Sequence, residues 1–135
     1  MTLVLLRIVL VLHAALVVVQ PVMAGYFLSG EVDAMSVHSP LGSTIWMLAF
    51  LQIFVAALYW LAGRGRGWPV LASIGLFIAE MTQMTLGHTQ TMSVHIPLGT
   101  SIVVAVVLLA IWSFRPAARQ VRPRRVRSER QEVAA

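Results

Sequence analysis

Four long apolar segments dominate this sequence, and they restrict what the chain can fold into more than any other feature. They cover residues 8–28, 42–61, 68–87 and 96–114, and one carboxylate, Glu80, lies inside them. A helix of about 20 apolar residues crosses the hydrocarbon core of a bilayer. With 135 residues, of which 59% are hydrophobic and 11% charged, the chain has no room for a soluble nucleotide-binding domain beside these spans. We therefore predict an all-α integral membrane protein, a four-transmembrane-helix bundle in contact with the lipid bilayer.

The charged residues are distributed unevenly, and this predicts the orientation of the helices. All ten basic residues are Arg; Arg64 and Arg66 follow the second segment, and seven more follow Phe114. The first loop carries only acidic charges, Glu31 and Asp33. By the positive-inside rule, both termini face the cytoplasm of a bacterial-type cytoplasmic membrane. Because the basicity is confined to that side, it indicates a cytoplasmic end, and no nucleic-acid partner is expected.

The chain divides into a transmembrane domain, residues 1–115, and an Arg-rich cytoplasmic tail, residues 116–135. The tail is polar and contains Pro116 and Pro123, and we expect it to be disordered or to contact the lipid surface. Residues 1–24 leave an alternative open, because Arg7 precedes an apolar run with a small-residue ending that is typical of a cleaved signal peptide. The sequence has no Cys, which excludes disulfides, thiolate metal sites and covalent haem attachment.

An internal repeat relates the two halves of the chain. Residues 35–45 (MSVHSPLGSTI) and 92–102 (MSVHIPLGTSI) are identical at eight of eleven positions, with a constant offset of 57 residues. The match predicts two duplicated helical hairpins, repeat A at about 8–62 and repeat B at about 68–114. Since both hairpins have the same orientation, we expect a pseudo-two-fold axis along the membrane normal.

Each repeat carries one His, His38 or His95, at the start of its second helix and near the outer surface. The symmetry axis can bring the two imidazoles opposite each other, where they could bind the iron of a b-type haem from both sides. Gly42 and Gly99 follow each His by four residues and therefore lie on the same helix face. A missing side chain there leaves room for the edge of the macrocycle, or alternatively permits close helix packing. The spacing alone fits both uses.

The residues around each His also predict where these two helices begin. Pro is favoured in a first helical turn, because its missing N–H would have no partner there. We therefore place Pro40 and Pro97 in the first turn of their helices. Ser36 and Ser93 are then the expected N-caps.

Several other polar residues lie within or beside the apolar segments. His13 and Glu80 both fall well inside the membrane, and we predict a contact between them, either as a structural hydrogen bond or as part of a proton relay. Gln20 and Gln83 are expected to form hydrogen bonds between helices, with contacts to a cofactor or quinone as the alternative. His88, in the third loop, is either an exposed loop residue or a hydrogen-bond donor to a haem propionate.

The placement of the His residues resembles the haem A synthase family. Four helices with a His opening the second and fourth, and a Thr-Leu-Gly segment at 85–87 leading to Val-His at 94–95, are similar to one half of that eight-helix family. The resemblance covers about residues 8–114 and implies that His38 and His95 are axial ligands of haem b. Met35 and Ser39 stand where the family commonly has an acidic residue and Arg, and the outer cysteine pair of many members is absent. These departures favour haem binding over oxidative haem modification.

The sequence thus predicts a membrane-embedded protein that binds haem b through two His ligands, for electron transfer or for haem A synthase-like haem chemistry. A cofactor-free assembly factor or accessory subunit of a respiratory membrane complex is the alternative. Met81 and Met84, with His88 four residues further on, leave Cu(I) binding open as a second metal hypothesis. Quinone binding and a homodimer that rebuilds eight helices are also left open.

Overall fold

The computed structural model describes residues 1–123, and its secondary structure is helical. Four long helices, α1 (Thr2–Leu28), α2 (Ala34–Leu61), α3 (Trp68–His88) and α4 (Met92–Phe114), are followed by a single turn, α5 (Pro116–Arg119). Residues 1–123 contain no strand. Each of the four long helices is long and apolar enough to cross a membrane. The predicted all-α, four-helix architecture is therefore confirmed.

The four long helices form a square in which sequence neighbours are antiparallel, as their short connections require. α1 packs against α2 and α4, and α3 packs against the same two helices, so that α2 and α4 are diagonally opposite. Connections 29–33 and 89–91 lie at one end of the bundle, which we call the histidine end because His38 and His95 are near it. The N-terminus, connection 62–67 and residues 115–123 lie at the other end, the arginine end.

Buried side chains occupy only the half of the bundle toward the arginine end. The buried residues nearest the histidine end are Val17 of α1, Ile45 of α2, Glu80 of α3 and Ile102 of α4. Neither 18–44 nor 81–101 contains a buried residue. The histidine end of this bundle therefore contains no fully enclosed residue, in contrast to the other half.

Large apolar side chains cover the outside of the bundle. Phe54 is 54% exposed, Leu71 72% and Leu108 60%, each on a different long helix. A soluble monomer rarely exposes contiguous apolar surface on this scale. The surface is consistent with the predicted contact with a lipid bilayer.

α2 and α4 begin earlier than their Pro residues indicate. Pro40 and Pro97 lie in the second turn of their helices, so the prediction of a first-turn Pro is wrong. Ser36 and Ser93 lie inside the helices and are not N-caps; the Ser36 hydroxyl donates instead to the carbonyl of Asp33, at 2.6 Å. Pro removes the hydrogen bond to the residue four positions earlier and crowds its carbonyl, but transmembrane helices tolerate such an interruption.

At the arginine end, the chain after α4 folds back onto the bundle. The Tyr59 hydroxyl donates to the carbonyl of Ala118 at 2.8 Å, and Ala118 itself is buried. This contact anchors α5, where the sequence predicts disorder. The rings of Trp68 and Trp112 meet edge to face nearby, with centroids 4.5 Å apart, in the aromatic-rich region expected at a membrane interface. The rest of the predicted tail, residues 124–135, lies outside the described residues.

Candidate functional site

The two repeated His residues lie close together at the histidine end. The ring centroids of His38 and His95 are 6.5 Å apart, and the ring planes are inclined at 53°. They come from the diagonal helices α2 and α4. Both residues are partly buried.

Backbone carbonyls of the neighbouring helices hold the two imidazoles. His38 Nδ1 donates to the carbonyl of Gln20 on α1 at 3.2 Å, and His95 Nδ1 donates to the carbonyl of Gln83 on α3 at 3.0 Å. A carbonyl can only accept, so these contacts place the ring hydrogen on Nδ1. Nε2 of each ring then carries a lone pair, and within residues 1–123 neither Nε2 makes a hydrogen bond.

The same glutamines return a hydrogen bond to each His. Gln20 Nε2 donates to the carbonyl of His38 at 3.2 Å, and Gln83 Nε2 donates to the carbonyl of His95 at 2.8 Å. The two repeats therefore contain the same reciprocal pair, one between α1 and α2 and one between α3 and α4. This confirms Gln20 and Gln83 as interhelical hydrogen-bonding residues and gives the expected pseudo-two-fold relation a structural counterpart.

The two glycines after the histidines adjoin these glutamine side chains. A Cβ on Gly42 would lie 3.2 Å from Gln20 Nε2, and a Cβ on Gly99 would lie 2.6 Å from Gln83 Nε2. The absent side chain thus lets each glutamine amide reach the His carbonyl one turn away. Close approach between helices is the use that the structure shows, and contact of these glycines with a macrocycle stays a prediction.

The two imidazoles have no third His, Cys, Asp or Glu side chain grouped with them in the described part of the chain. Residues 1–123 contain no group of three or more His, Cys, Asp or Glu side chains that could hold a metal ion. A bare Zn²⁺ site built by protein alone normally needs further ligands. Two opposed imidazoles suit a metal whose remaining ligands come from a macrocycle.

A second polar cluster lies deep in the packed half of the bundle. His13 and Glu80 are 0% and 4% exposed, and His13 Nε2 is 2.8 Å from Glu80 Oε1, so the two residues are in contact as expected. His13 Nδ1 lies 2.7 Å from Gln52 Oε1, and Gln52 Nε2 donates to the Ser73 hydroxyl at 3.0 Å. One polar chain therefore joins α1, α2 and α3 across the apolar interior.

His88 takes no part in either cluster. It is the last residue of α3 and is exposed, and its Nδ1 donates to the carbonyl of Met84 within the same helix, at 2.8 Å. Its contact with a haem propionate stays a prediction.

Sequence reasoning missed Gln52 and Ser73 as partners of His13. A signal for Gln52 was present, because an amide in the middle of an apolar membrane segment must find a hydrogen-bond partner. Ser73 gave a weaker signal, since a serine hydroxyl in a helix can satisfy itself on its own backbone, as this one also does on the carbonyl of Pro69.

Comparison with known proteins assigns no function to either cluster. No protein-family model matches the chain, and neither curated proteins nor solved structures show a significant match. The resemblance to the haem A synthase family therefore rests on the residues of the sequence alone.

Proposed function

We propose that this protein binds one b-type haem at the histidine end, with His38 and His95 as its two axial ligands. The observation that carries the proposal is the separation of the two rings. A metal–nitrogen bond of about 2 Å on each side, plus roughly 1 Å from each nitrogen to its ring centre, separates two axial imidazoles by about 6 Å. The observed 6.5 Å between centroids is close to that value.

The orientation of the rings is compatible with this role. The plane of an axial imidazole contains the metal–nitrogen direction, so the angle between two such planes can take any value, and 53° is acceptable. Each ring also donates its Nδ1 hydrogen to a backbone carbonyl. Metal-binding His residues in proteins usually have such a partner, which fixes the ring and keeps Nε2 available as a ligand.

The distribution of buried residues also favours a cofactor at this end. Residues 18–44 and 81–101 contain no buried side chain, whereas the other half of the same bundle is packed. A flat, largely apolar ligand between α2 and α4 would complete that interior. The described loops at this end carry Glu31 and Asp33 but no Arg or Lys, so haem propionates would rely on neutral donors from these loops.

Electron transfer is the use that two axial His ligands favour. A bound haem iron supplies reversible one-electron chemistry, and two protein ligands leave it no open position for oxygen. The positive-inside rule places the arginine end in the cytoplasm and the haem near the outer face of the membrane. Haem A synthase-like chemistry remains the second candidate, favoured by the resemblance of the His placement.

The experiment is a visible absorption spectrum of the full chain, expressed with ample haem and purified in detergent. We expect the bands of a low-spin b-type haem after reduction, at a stoichiometry of a single haem per chain. Carbon monoxide should leave the reduced spectrum unchanged, because both axial positions are filled. A colourless protein would contradict the proposal and favour a cofactor-free assembly factor or accessory subunit.

A further inference from the structure

The hydrogen-bond directions in the buried polar chain determine where its protons lie. The Ser73 hydroxyl donates to the carbonyl of Pro69 at 2.8 Å, so its oxygen accepts from Gln52 Nε2. This orientation turns Gln52 Oε1 toward His13, and His13 Nδ1 must therefore carry a hydrogen. On the other side of the ring, His13 Nε2 and Glu80 Oε1 share a single proton across 2.8 Å.

The second carboxylate oxygen of Glu80 is left without a partner. Glu80 is only 4% exposed, and its Oε2 atom is buried and makes no hydrogen bond. An unpaired polar atom inside a membrane bundle is costly, and such groups are commonly retained for function. A proton can add to this oxygen without breaking any hydrogen bond of the chain, which changes the charge of the His13–Glu80 pair by one unit.

The pair is linked to the histidine end through α3. Gln83, which holds His95 by two hydrogen bonds, follows Glu80 by three residues, a rise of about 4.5 Å along the helix. In an apolar interior a unit charge acts over longer distances than it does in water. A change of charge between His38 and His95 is therefore felt at Glu80.

We propose that the His13–Glu80 pair is a proton-binding site inside the membrane, which takes up a proton at Glu80 Oε2 when iron bound between His38 and His95 is reduced. An external one-electron reductant would supply the electron to a haem held by these histidines and solvent water would supply the proton, so that the net charge of the interior would be conserved. The inference rests on the proposed haem site and assigns to it a redox-linked proton.

Few other titratable groups face this pair. Arg7 on α1 and Tyr59 on α2 lie toward the arginine end, and His38 and His95 lie toward the histidine end. Among residues 1–123, the titratable side chains that are buried in the middle of the bundle are His13 and Glu80 themselves. A redox-linked proton in this part of the bundle therefore has one site available.

The test is a redox titration of the haem-loaded full chain at a series of pH values. In the wild-type protein we expect the midpoint potential to fall with rising pH, by up to about 59 mV per pH unit for a one-electron couple. Glu80→Gln should remove this dependence. Glu31→Gln, which removes an exposed carboxylate at the histidine end, should retain it. Equal slopes in wild type and Glu80→Gln would overturn the inference.

A second measurement works without any variant. Reduced-minus-oxidised infrared spectra of the wild-type protein should show a protonated carboxyl band that appears on reduction and shifts in deuterated water. Absence of that band in haem-loaded protein would refute the proton site and leave the haem site standing. Absence of haem from the wild-type protein would overturn both proposals together.

Discussion

Replacement of His38 or His95 by alanine is expected to remove the low-spin b-type spectrum and to weaken haem binding at least about a hundredfold. Mutation of residues that merely orient a metal ligand typically costs 10- to 100-fold in affinity, so loss of the ligand itself should cost at least about as much. Because the two histidines occupy equivalent positions, the two variants should behave alike. Haem titration of the purified apoproteins, followed in the visible region, measures the effect.

The chain offers matched controls for these variants. Val37 and Val94 precede the two histidines and are 50% and 49% exposed, and neither side chain can bind iron. Val37→Ala and Val94→Ala should therefore bind haem as the wild type does. A His38→Ala protein with undiminished haem binding and an unchanged spectrum would disprove axial ligation by that residue.

His13→Leu is expected to lower the free energy of unfolding by about 3–5 kcal/mol, the cost of removing one partner from a buried hydrogen-bonded pair. The substitution leaves Glu80 Oε1 without its hydrogen bond, and Oε2 already has none. Gln52 Oε1 loses its partner as well. Unfolding of the apoprotein in detergent, followed by circular dichroism, measures the change independently of haem.

Two further variants test whether the loss of stability comes from the buried His13–Glu80 pair or from the change of His to Leu itself. His88→Leu makes the same chemical change at an exposed site and should shift stability by no more than about 0.5 kcal/mol. The double variant His13→Leu, Glu80→Leu should recover most of the loss, because two apolar side chains replace a buried pair without leaving a charge. If His13→Leu were no less stable than His88→Leu, the buried pair would contribute nothing measurable.

The sequence predicts the architecture well because the bilayer allows few solutions. The apolar segments predict the four long helices, and the repeat at 35–45 and 92–102 predicts that His38 and His95 occupy equivalent places. Polar residues in apolar helices must find partners, which explains why contacts of His13 with Glu80 and of Gln20 with its neighbouring helix can be anticipated.

What the sequence could not supply depends on three-dimensional contacts. The prolines predict later starts for α2 and α4 than the structure has, because Pro40 and Pro97 favour a first turn but lie in the second turn here. A glutamine side chain lies beside each glycine because two helices approach each other there. The spacing of residues along the sequence does not reveal this contact. The position of α5 depends on contacts with residues far away in sequence, such as the hydrogen bond from Tyr59, which is 59 residues from Ala118.

The most direct test of the haem site is a crystal structure of the haem-loaded protein with anomalous diffraction measured at the iron absorption edge. We expect a single iron peak between the two rings, about 2 Å from Nε2 of His38 and of His95. An iron peak elsewhere, or imidazoles that turn away from the metal, would contradict ligation by this pair of histidines.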